Sequence, residues 1–267
     1  MELTLIISYY KALDKLKLIL KALNQQSTRN FEVIISEDDN NFETIDFILK
    51  CKDMYAFKIT HIYQPKDDGF RKNEMLNKAI INSNTDKLVF IDGDCIPHKY
   101  FIINYINSFK EGFILDGRAV MLDEKTTHYV LETLSLKRLN LFYLLFTNSS
   151  LLKNGIYSPF ISLSFKKSGR GLVGRNWGIY KKHLIDVNGF DMDYVHAGVG
   201  EDVDIEWRLK AIGIKTILMK NKSIVYHLFH KRGSYDKMFK HNYELLNNKK
   251  KLNNIYCLNG IDKIIVK

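Results

Sequence analysis

Hydrophobic residues in the first 94 positions alternate between two spacings, and this alternation constrains the fold more than any other feature. Short apolar runs typical of buried strands occur at residues 3–8, 31–36, 57–62 and 87–91. In the intervals between them, leucine and isoleucine recur at the three- and four-residue spacing of amphipathic helices. Strand–helix alternation predicts right-handed βαβ units. We therefore expect an α/β fold of Rossmann-like type, with a mostly parallel sheet flanked by helices.

Polar clusters follow three of the predicted strands. They are Ser8-Tyr9-Tyr10, Glu37-Asp38 and Asp92-Gly93-Asp94. In open α/β sheets, ligands bind at the carboxyl ends of the strands. The shared position of the three clusters predicts a ligand site at that edge.

The Asp-x-Asp pattern at Asp92-Gly93-Asp94 is weak by itself, because Asp191-x-Asp193 and Asp202-x-Asp204 match it equally well. The first copy differs in following a buried strand directly, where Gly93 allows a tight approach. Hard carboxylate oxygens suit magnesium or manganese, and such an ion would bridge a diphosphate. The alternative is a turn whose aspartates satisfy local backbone donors. The position of Asp92-Gly93-Asp94 directly after a buried strand favours a metal site over a structural turn.

Glu201-Asp202 stands at the start of a predicted amphipathic helix. Carboxylates are favoured there by capping and by the helix dipole even without a function. The flexible sequence Ala197-Gly198-Val199-Gly200 precedes the pair and could bring backbone close to a sugar. Both interpretations remain open at this stage.

His227 and Trp177 each have both a structural and a functional interpretation. His227 ends the apolar run Ile224–Tyr226, where a histidine is either structural or a metal ligand, and nearby His230 competes for the same role. Trp177 could stack on a sugar face or pack in the core, and packing is favoured.

The composition of the chain indicates which kinds of ligand and which cellular compartment suit it. The 267-residue chain carries a formal net charge of +10, which suits a nucleotide diphosphate, an acidic membrane surface or a nucleic acid. Cys51, Cys95 and Cys257 have no metal-ligand spacing, and we expect reduced, buried thiols in a cytoplasmic protein. No apolar run is long enough to span a bilayer. Peripheral contact with the inner face of the plasma membrane stays open.

The ordered set of motifs resembles glycosyltransferase family 2, which has the GT-A fold. The first part of the set comprises Ser8-Tyr9-Tyr10, Glu37-Asp38, Gln64–Arg71 with Asn77, and Asp92-Gly93-Asp94. The second part comprises Gly174–Gly178, Asn188–Asp191 and Gly200–Asp204, which look like acceptor-side motifs. They are most similar to the branch of bacterial chondroitin polymerases and β-1,4-galactosyltransferases. The resemblance covers roughly residues 1–230.

This resemblance implies a donor site for a uridine nucleotide. Glu37 and Asp38 would contact the base and ribose, Tyr9 would neighbour the uracil ring, and Arg71 could approach the nucleotide. Family members usually carry Asp-Asp-Gly-Ser where this chain has Glu37-Asp38-Asp39-Asn40, which leaves the base contact open.

The resemblance also implies a metal and a general base. Asp92 would lie near the ribose or the metal, Asp94 would ligate the metal directly, and His227 would complete its site. Asp202 would deprotonate the acceptor hydroxyl, and Glu201 would bind the acceptor. The cofactor would be Mn²⁺ or Mg²⁺.

The chain is therefore expected to divide into three parts. Residues 1–124 would bind the nucleotide sugar, residues 125–230 would bind the acceptor and catalyse, and residues 231–267 would form a basic tail, interpreted as a solvated helical appendage. The apolar stretch at 125–170 could be a core helix plus a flexible loop ending in Lys166–Gly171. It could instead be an amphipathic surface that meets a membrane or a lipid-linked acceptor.

The expected function is inverting transfer of a hexose or N-acetylhexosamine from a UDP-sugar to a glycan or lipid-linked acceptor, in bacterial surface polysaccharide synthesis. A sugar-nucleotide nucleotidyltransferase would carry a glycine-rich loop after the first strand, and the turn Ser8–Lys11 has no glycine. A basic domain that binds nucleic acid or anionic lipid without transferase activity would explain the charge. It would leave the acidic strand ends unexplained, so no nucleic-acid partner is expected.

Overall fold

The structure is a computed structural model that describes residues 1–160, 164–165, 171–231 and 236–265. Its strands, numbered in chain order, are β1 Leu3–Tyr9, β2 Phe31–Glu37, β3 Lys58–Tyr63, β4 Lys87–Asp92, β5 Cys95–Pro97, β6 Phe113–Asp116, β7 Arg118–Met121, β8 Ser164–Phe165, β9 Asn176–Tyr180, β10 Lys215–Leu218 and β11 Ile224–His227. Its α-helices are α1 Leu13–Leu23, α2 Phe42–Cys51, α3 Lys72–Asn82, α4 Phe101–Ile106, α5 Glu124–Thr133, α6 Leu141–Leu144, α7 Lys181–Ile185, α8 Val203–Ala211, α9 Asp236–Lys251 and α10 Asp262–Ile265. Short 3₁₀ helices cover Lys52–Met54 and Leu152–Gly155.

The large sheet has the order β3-β2-β1-β4-β9-β6-β10-β8. Strands β3, β2, β1 and β4 are mutually parallel, while β9 runs antiparallel to both β4 and β6. The predicted α/β class with a mostly parallel sheet flanked by helices is confirmed, and so are the four predicted strands and three predicted helices of the first 94 residues.

Strand β1 shows why its sequence is apolar throughout. Leu5 and Ile7 pack into the hydrophobic core on one side of the sheet, whereas Ile6 packs into the core on the other side. Because side chains alternate across a strand, a strand covered on both faces needs apolar residues at every position. Each fully buried side chain of this kind contributes roughly 1.5–3 kcal/mol.

A second, three-stranded sheet has the order β5-β11-β7. Strand β11 pairs antiparallel with β5, so that His227 lies opposite Cys95. This pairing carries the C-terminal part of the chain to the turn that follows β4.

The apolar stretch after residue 124 forms two short helices, α5 and α6, rather than one core helix. Leu134 adopts a left-handed conformation with φ of 49° and ends α5. The basic sequence at 166–170, predicted to be a flexible loop, lies outside the described residues. Among the described residues, no helix combines the length and apolar character needed to cross a membrane.

The chain after residue 231 differs from the predicted solvated appendage. Leu246 of α9 is buried against Tyr194 and Val199, and Lys249 is 6% exposed because it pairs with Asp191. The charge run at 249–251 had suggested solvation, but one of its lysines fills a buried acidic site. The division of the chain at residues 124 and 230 stays a prediction. All three cysteines are buried and free, as predicted.

Candidate active site

The carboxyl ends of three parallel strands meet at one cavity of about 340 Å³, called here the first cavity. Its floor follows from the strand register, since Ser8 of β1 pairs with both Ser36 of β2 and Asp92 of β4. The lining residues are Ser8, Tyr9, Tyr10, Ser36, Asp38, Gly69, Phe70, Lys72 and Asp92. Three predicted donor-site residues, Tyr9, Asp38 and Asp92, therefore share this cavity.

Asp38 is held rigidly at the wall of the first cavity. Its carboxylate accepts hydrogen bonds from the backbone N–H of Arg71, at 2.9 Å and 3.1 Å, and from the side-chain amide of Gln64. Burial raises the pKa of Asp38 to about 6, although these hydrogen bonds act in the opposite direction. An acceptor this preorganised can bind a donor group of a ligand without losing side-chain entropy.

Tyr9 and Tyr10 contribute to the first cavity in different ways. Tyr9 is 2% exposed, and its hydroxyl bonds Thr44 at 2.9 Å and accepts from the N–H of Ala12 at 3.1 Å. Its phenol is therefore occupied, and the residue acts as a fixed wall. Tyr10 is 52% exposed, and Lys11 Nζ lies 4.8 Å from the centre of its ring. A contact of Tyr9 with the uracil ring stays a prediction.

Glu37 and Arg71, which were predicted to contact the nucleotide, have side chains that pair with other residues of the protein. The Glu37 carboxylate is fully buried and lies 2.6 Å from His61 Nε2, and Glu37 is absent from the lining of the first cavity. The Arg71 guanidinium pairs with Asp68 and Glu74. Arg71 thus supports Asp38 through its main chain, while its charge is directed away from the first cavity.

Gly93 is required by the close approach of the turn after β4 to β1. A Cβ atom at Gly93 would lie 2.8 Å from the carbonyl oxygen of Ser8, closer than a Cβ can come. The tight turn projects Asp92 into the first cavity and sends Asp94 toward the small sheet, where the N–H of Leu228 donates to the Asp94 carbonyl at 2.9 Å.

A cluster of potential metal ligands surrounds Asp94. Ligand atoms of Asp94, Cys95 and His227 lie within 4.8 Å of one another. His227 Nε2 and His230 Nε2 each lie 3.6 Å from an Asp94 oxygen. His227 is nearly buried, whereas the His230 side chain is half exposed. Burial lowers the pKa of His227, while Asp94 acts in the opposite direction.

The donor set fits a hard divalent ion. Such an ion binds oxygen at about 2.1 Å, so two of its ligands lie roughly 3.0 Å apart when adjacent and roughly 4.2 Å when opposite. The 3.6 Å between Asp94 and His227 falls in this range and is too long for a hydrogen bond. Cys95 is fully buried, and burial raises the pKa of its thiol well above the usual value. Asp94 and His227 are therefore residues that could hold Mn²⁺ or Mg²⁺, and His230 lies at the same distance from Asp94 as His227 does.

Glu201 and Asp202 lie directly before α8, as the sequence predicts. Asp202 caps the helix by accepting from the N–H of Val203 at 2.8 Å, and it also accepts from the N–H of Gly174 at 3.2 Å. Burial raises the pKa of Asp202 and of Glu201. Among the described residues, one buried oxygen of Glu201 has no hydrogen-bond partner.

Lys72 is the site residue that the sequence interpretation missed. Its Nζ lies 2.9 Å from Asp92 and 3.4 Å from Glu201, which is 129 positions away in the chain. Burial alone would lower the pKa of Lys72, but the two carboxylates outweigh it and raise the pKa above the usual value. Lys72 therefore joins the strand-end carboxylates to the pair that precedes α8.

The sequence model described as "Glycosyl transferase family 2" matches residues 4–172, more than half of the chain. The chain belongs to glycosyl transferase family 2. No curated protein sequence matches it significantly.

Solved glycosyltransferases share the fold of this family 2 chain. A mannosyltransferase from Pyrobaculum calidifontis, in complex with GDP-Man and Mn²⁺, aligns with a TM-score of 0.61 at 14% identity, over 94% of this chain and 64% of that one. S. aureus TarS 1-349 in complex with UDP gives a TM-score of 0.64 at 14% identity, over 92% and 64%. GalNAc-T7 with UDP, GalNAc and Mn²⁺ gives 0.61 at 10% identity, over 91% and 48%. The chain thus spans less than two thirds of the length of each. The predicted GT-A fold is confirmed, whereas the chondroitin polymerase-like branch stays a prediction.

In this family 2 chain, the competing Asp-x-Asp patterns have structural partners. Asp191 and Asp193 both pair with Lys249 at 2.6 Å, and fully buried Asp204 pairs with Arg208 at 2.7 Å. Trp177 is also structural, because its buried ring stacks on Phe90 with ring centroids 4.6 Å apart. The predicted packing of Trp177 is confirmed.

A larger opening of about 670 Å³, called here the second cavity, is lined in part by histidines of the metal-ligand cluster. His227, His230, Asp123, Asn148 and Ser150 are among its lining residues. In this family 2 chain, His227 and His230 therefore line a cavity that is separate from the first one.

Proposed function

We propose that the chain is a metal-dependent, inverting glycosyltransferase that moves a hexose or N-acetylhexosamine from a UDP-sugar to a glycan or lipid-linked acceptor. One observation carries this proposal: Lys72 contacts both Asp92, in the predicted donor motif, and Glu201, in the predicted acceptor motif. Two motifs with separate predicted roles thus belong to one site. Synthesis of a bacterial surface polysaccharide is the setting that the sequence resemblance implies.

The donor nucleoside would occupy the first cavity. Asp38 offers a fixed acceptor there, Tyr10 offers an exposed ring, and Lys72 supplies positive charge at the end near Asp92. A divalent ion held by Asp94 and His227 would neutralise charge on the leaving diphosphate when bound.

Transfer requires a base for the acceptor hydroxyl. The hydroxyl oxygen forms a bond to the anomeric carbon, the bond from that carbon to the diphosphate oxygen breaks, and the hydroxyl proton passes to Asp202. Burial makes the carboxylate of Asp202 a stronger base than a solvated aspartate. Glu201, one oxygen of which has no partner among the described residues, would orient the acceptor, and Lys72 would keep Glu201 ionised.

The donor class is tested by turnover. Purified protein is given UDP-hexoses, UDP-N-acetylhexosamines and GDP-mannose, with and without Mn²⁺, and release of the nucleoside diphosphate is measured with a panel of glycoside acceptors. Manganese-stimulated release from a UDP-sugar is expected. Thermal stabilisation by UDP with Mn²⁺ reports donor binding even where the acceptor is unsuitable. Stabilisation by GDP but not UDP would refute the uridine assignment.

A basic binding domain without transferase activity is the alternative. It does not account for a lysine that lines the first cavity and contacts the carboxylates of both Asp92 and Glu201. Salt-sensitive binding of RNA or DNA, without stabilisation by any nucleotide sugar, would favour it over the transferase.

A further inference from the structure

A group of apolar side chains is exposed on the segment around α6. Phe142 and Phe146 are 77% and 79% exposed and form an edge-to-face pair, with ring centroids 5.7 Å apart. Leu145 between them is also exposed, whereas Leu144 is fully buried and fixes the helix to the core. Further along, Phe160 is 95% exposed. Large apolar side chains this exposed on one short segment mark an interaction surface.

The charge of the same part of the chain is unusual. Residues 134–185 contain no aspartate or glutamate, although the chain averages about one acidic residue in nine. The basic residues of this interval are Lys137, Arg138, Lys153, Lys166, Lys167, Arg170, Arg175, Lys181 and Lys182. The exposed apolar side chains therefore lie in a stretch of purely positive charge.

Arg138 shows how this charge is placed next to the aromatic side chains. Its guanidinium lies 3.4 Å from the ring centre of Tyr129 and 5.0 Å from that of Tyr143, which belongs to α6. Lys137 and Lys153 flank α6 on the two sides in sequence and are exposed. Exposed phenylalanine and leucine bordered by lysine and arginine are typical of helices that lie in a membrane interface.

We propose that the segment 137–160 docks the protein on an anionic lipid bilayer. The phenylalanines would enter the acyl boundary, and Lys137, Arg138 and Lys153 would contact anionic headgroups. A second copy of the chain is a poorer occupant, because symmetric contact would bring two basic segments together without acidic residues to pair them.

The same segment also borders the candidate site. Asn148 and Ser150, which follow α6, line the second cavity together with His227. Docking through α6 would therefore place the bilayer beside the cavity that His227 lines, and a lipid-linked acceptor could enter there.

The experiment is cosedimentation of the full chain with vesicles, a readout that needs no transferase activity. Vesicles contain phosphatidylcholine alone or with about one third phosphatidylglycerol. We expect binding to the anionic vesicles only, and weaker binding at high salt. The double variant Phe142→Ser/Phe146→Ser should lose at least about tenfold in vesicle affinity. Phe42→Ser, which replaces an 84% exposed phenylalanine on α2, should bind as the wild type does.

Two further measurements keep the proposal open to refutation. Lys137→Glu/Lys153→Glu should also weaken binding, and its exposed positions should leave the fold intact, as a thermal melt would show. Absence of wild-type binding to anionic vesicles, or equal loss in Phe42→Ser, would overturn the proposal. So would sedimentation showing that the α6 phenylalanines hold a dimer while their replacement leaves vesicle binding unchanged.

Discussion

The two halves of the molecule build the candidate site in different ways. In the first 124 residues, the site side chains stand at the ends of adjacent parallel strands, so the register of the sheet brings Ser8, Ser36 and Asp92 together. In the second half, individual long-range contacts position the side chains. His227 reaches Asp94 through strand pairing, and Asp202 is fixed by the N–H groups of Val203 and Gly174.

Because of this difference, we expect nucleotide binding and catalysis to depend on different parts of the molecule. A cavity built by a buried sheet should bind a nucleotide without help from the second half. Catalysis should depend on single contacts that cross between the halves. Within the candidate site, Lys72 contacts Glu201 and Asp94 lies near His227, so both contacts cross between the halves.

Among the contacts that cross between the halves, replacing Asp94 should have the largest effect, because it removes the carboxylate of the metal-ligand cluster. Asp94→Ala is expected to reduce manganese-stimulated turnover by about 10²–10³-fold and to abolish the manganese dependence of UDP binding. Turnover and calorimetric titration would measure the two effects. Asp193→Ala belongs to an identical Asp-x-Asp pattern but pairs with Lys249, so it should keep turnover. Equal losses in both variants would refute the metal assignment of Asp94.

Replacing Lys72 tests the contact between the halves. Lys72→Met leaves Asp92 and Glu201 largely buried without their cation, and we expect a loss of about 1–3 kcal/mol in unfolding free energy at pH 7. Despite burial, Lys72 keeps the pKa of Asp92 below its usual value. Stability from Asp92 is therefore present above about pH 4 and is lost as the pH falls through the lowered pKa.

Denaturant unfolding between about pH 3 and about pH 7, a range that brackets the reference carboxyl pKa of about 4, checks this prediction, with Lys72→Arg as the charge-preserving control. The difference between wild type and Lys72→Met should shrink toward pH 3. A difference that stays constant over this range would show that Lys72 acts by packing rather than by charge.

Replacing Asp38 should change the unfolding free energy less than replacing Lys72 does, and in the opposite direction. Its pKa is raised by burial to about 6, so the native state binds the proton more tightly than the unfolded chain does. The group therefore destabilises the fold fully above about pH 6, and this cost disappears below about pH 4. Asp38→Asn should gain about 1–2 kcal/mol at pH 7 and nothing at pH 4, while UDP binding weakens. Exposed Asp46→Asn is the control. A stability gain that does not depend on pH would contradict the assignment.

The sequence predicts the first half of the fold well because its signals are local. The apolar runs of β1, β2 and β4 and the helical spacing of α1 appear within short windows, and the sheet follows from their alternation. The position of Asp92-Gly93-Asp94 at a strand end follows from the same reasoning.

The remaining site contacts depend on geometry that local windows do not contain. Arg71 and Lys72 are neighbours at the start of α3, and a helix rotates about 100° per residue, so only the docked helix decides which cation enters the first cavity. Glu37 is paired with His61 across a strand pairing, and Lys249 is buried by α9 docking. Such contacts arise when separate elements pack together.

The most direct test of the central claim is the separation of donor binding from transfer in Asp202→Asn. Asparagine is as good a helix cap as aspartate, so α8 should be retained while the base is lost. We expect turnover to fall by about 10²–10⁴-fold while the affinity for UDP with Mn²⁺ stays within about threefold of the wild type. Near-normal turnover, or loss of nucleotide binding together with activity, would contradict a site in which the first half binds the donor and Asp202 takes the acceptor proton.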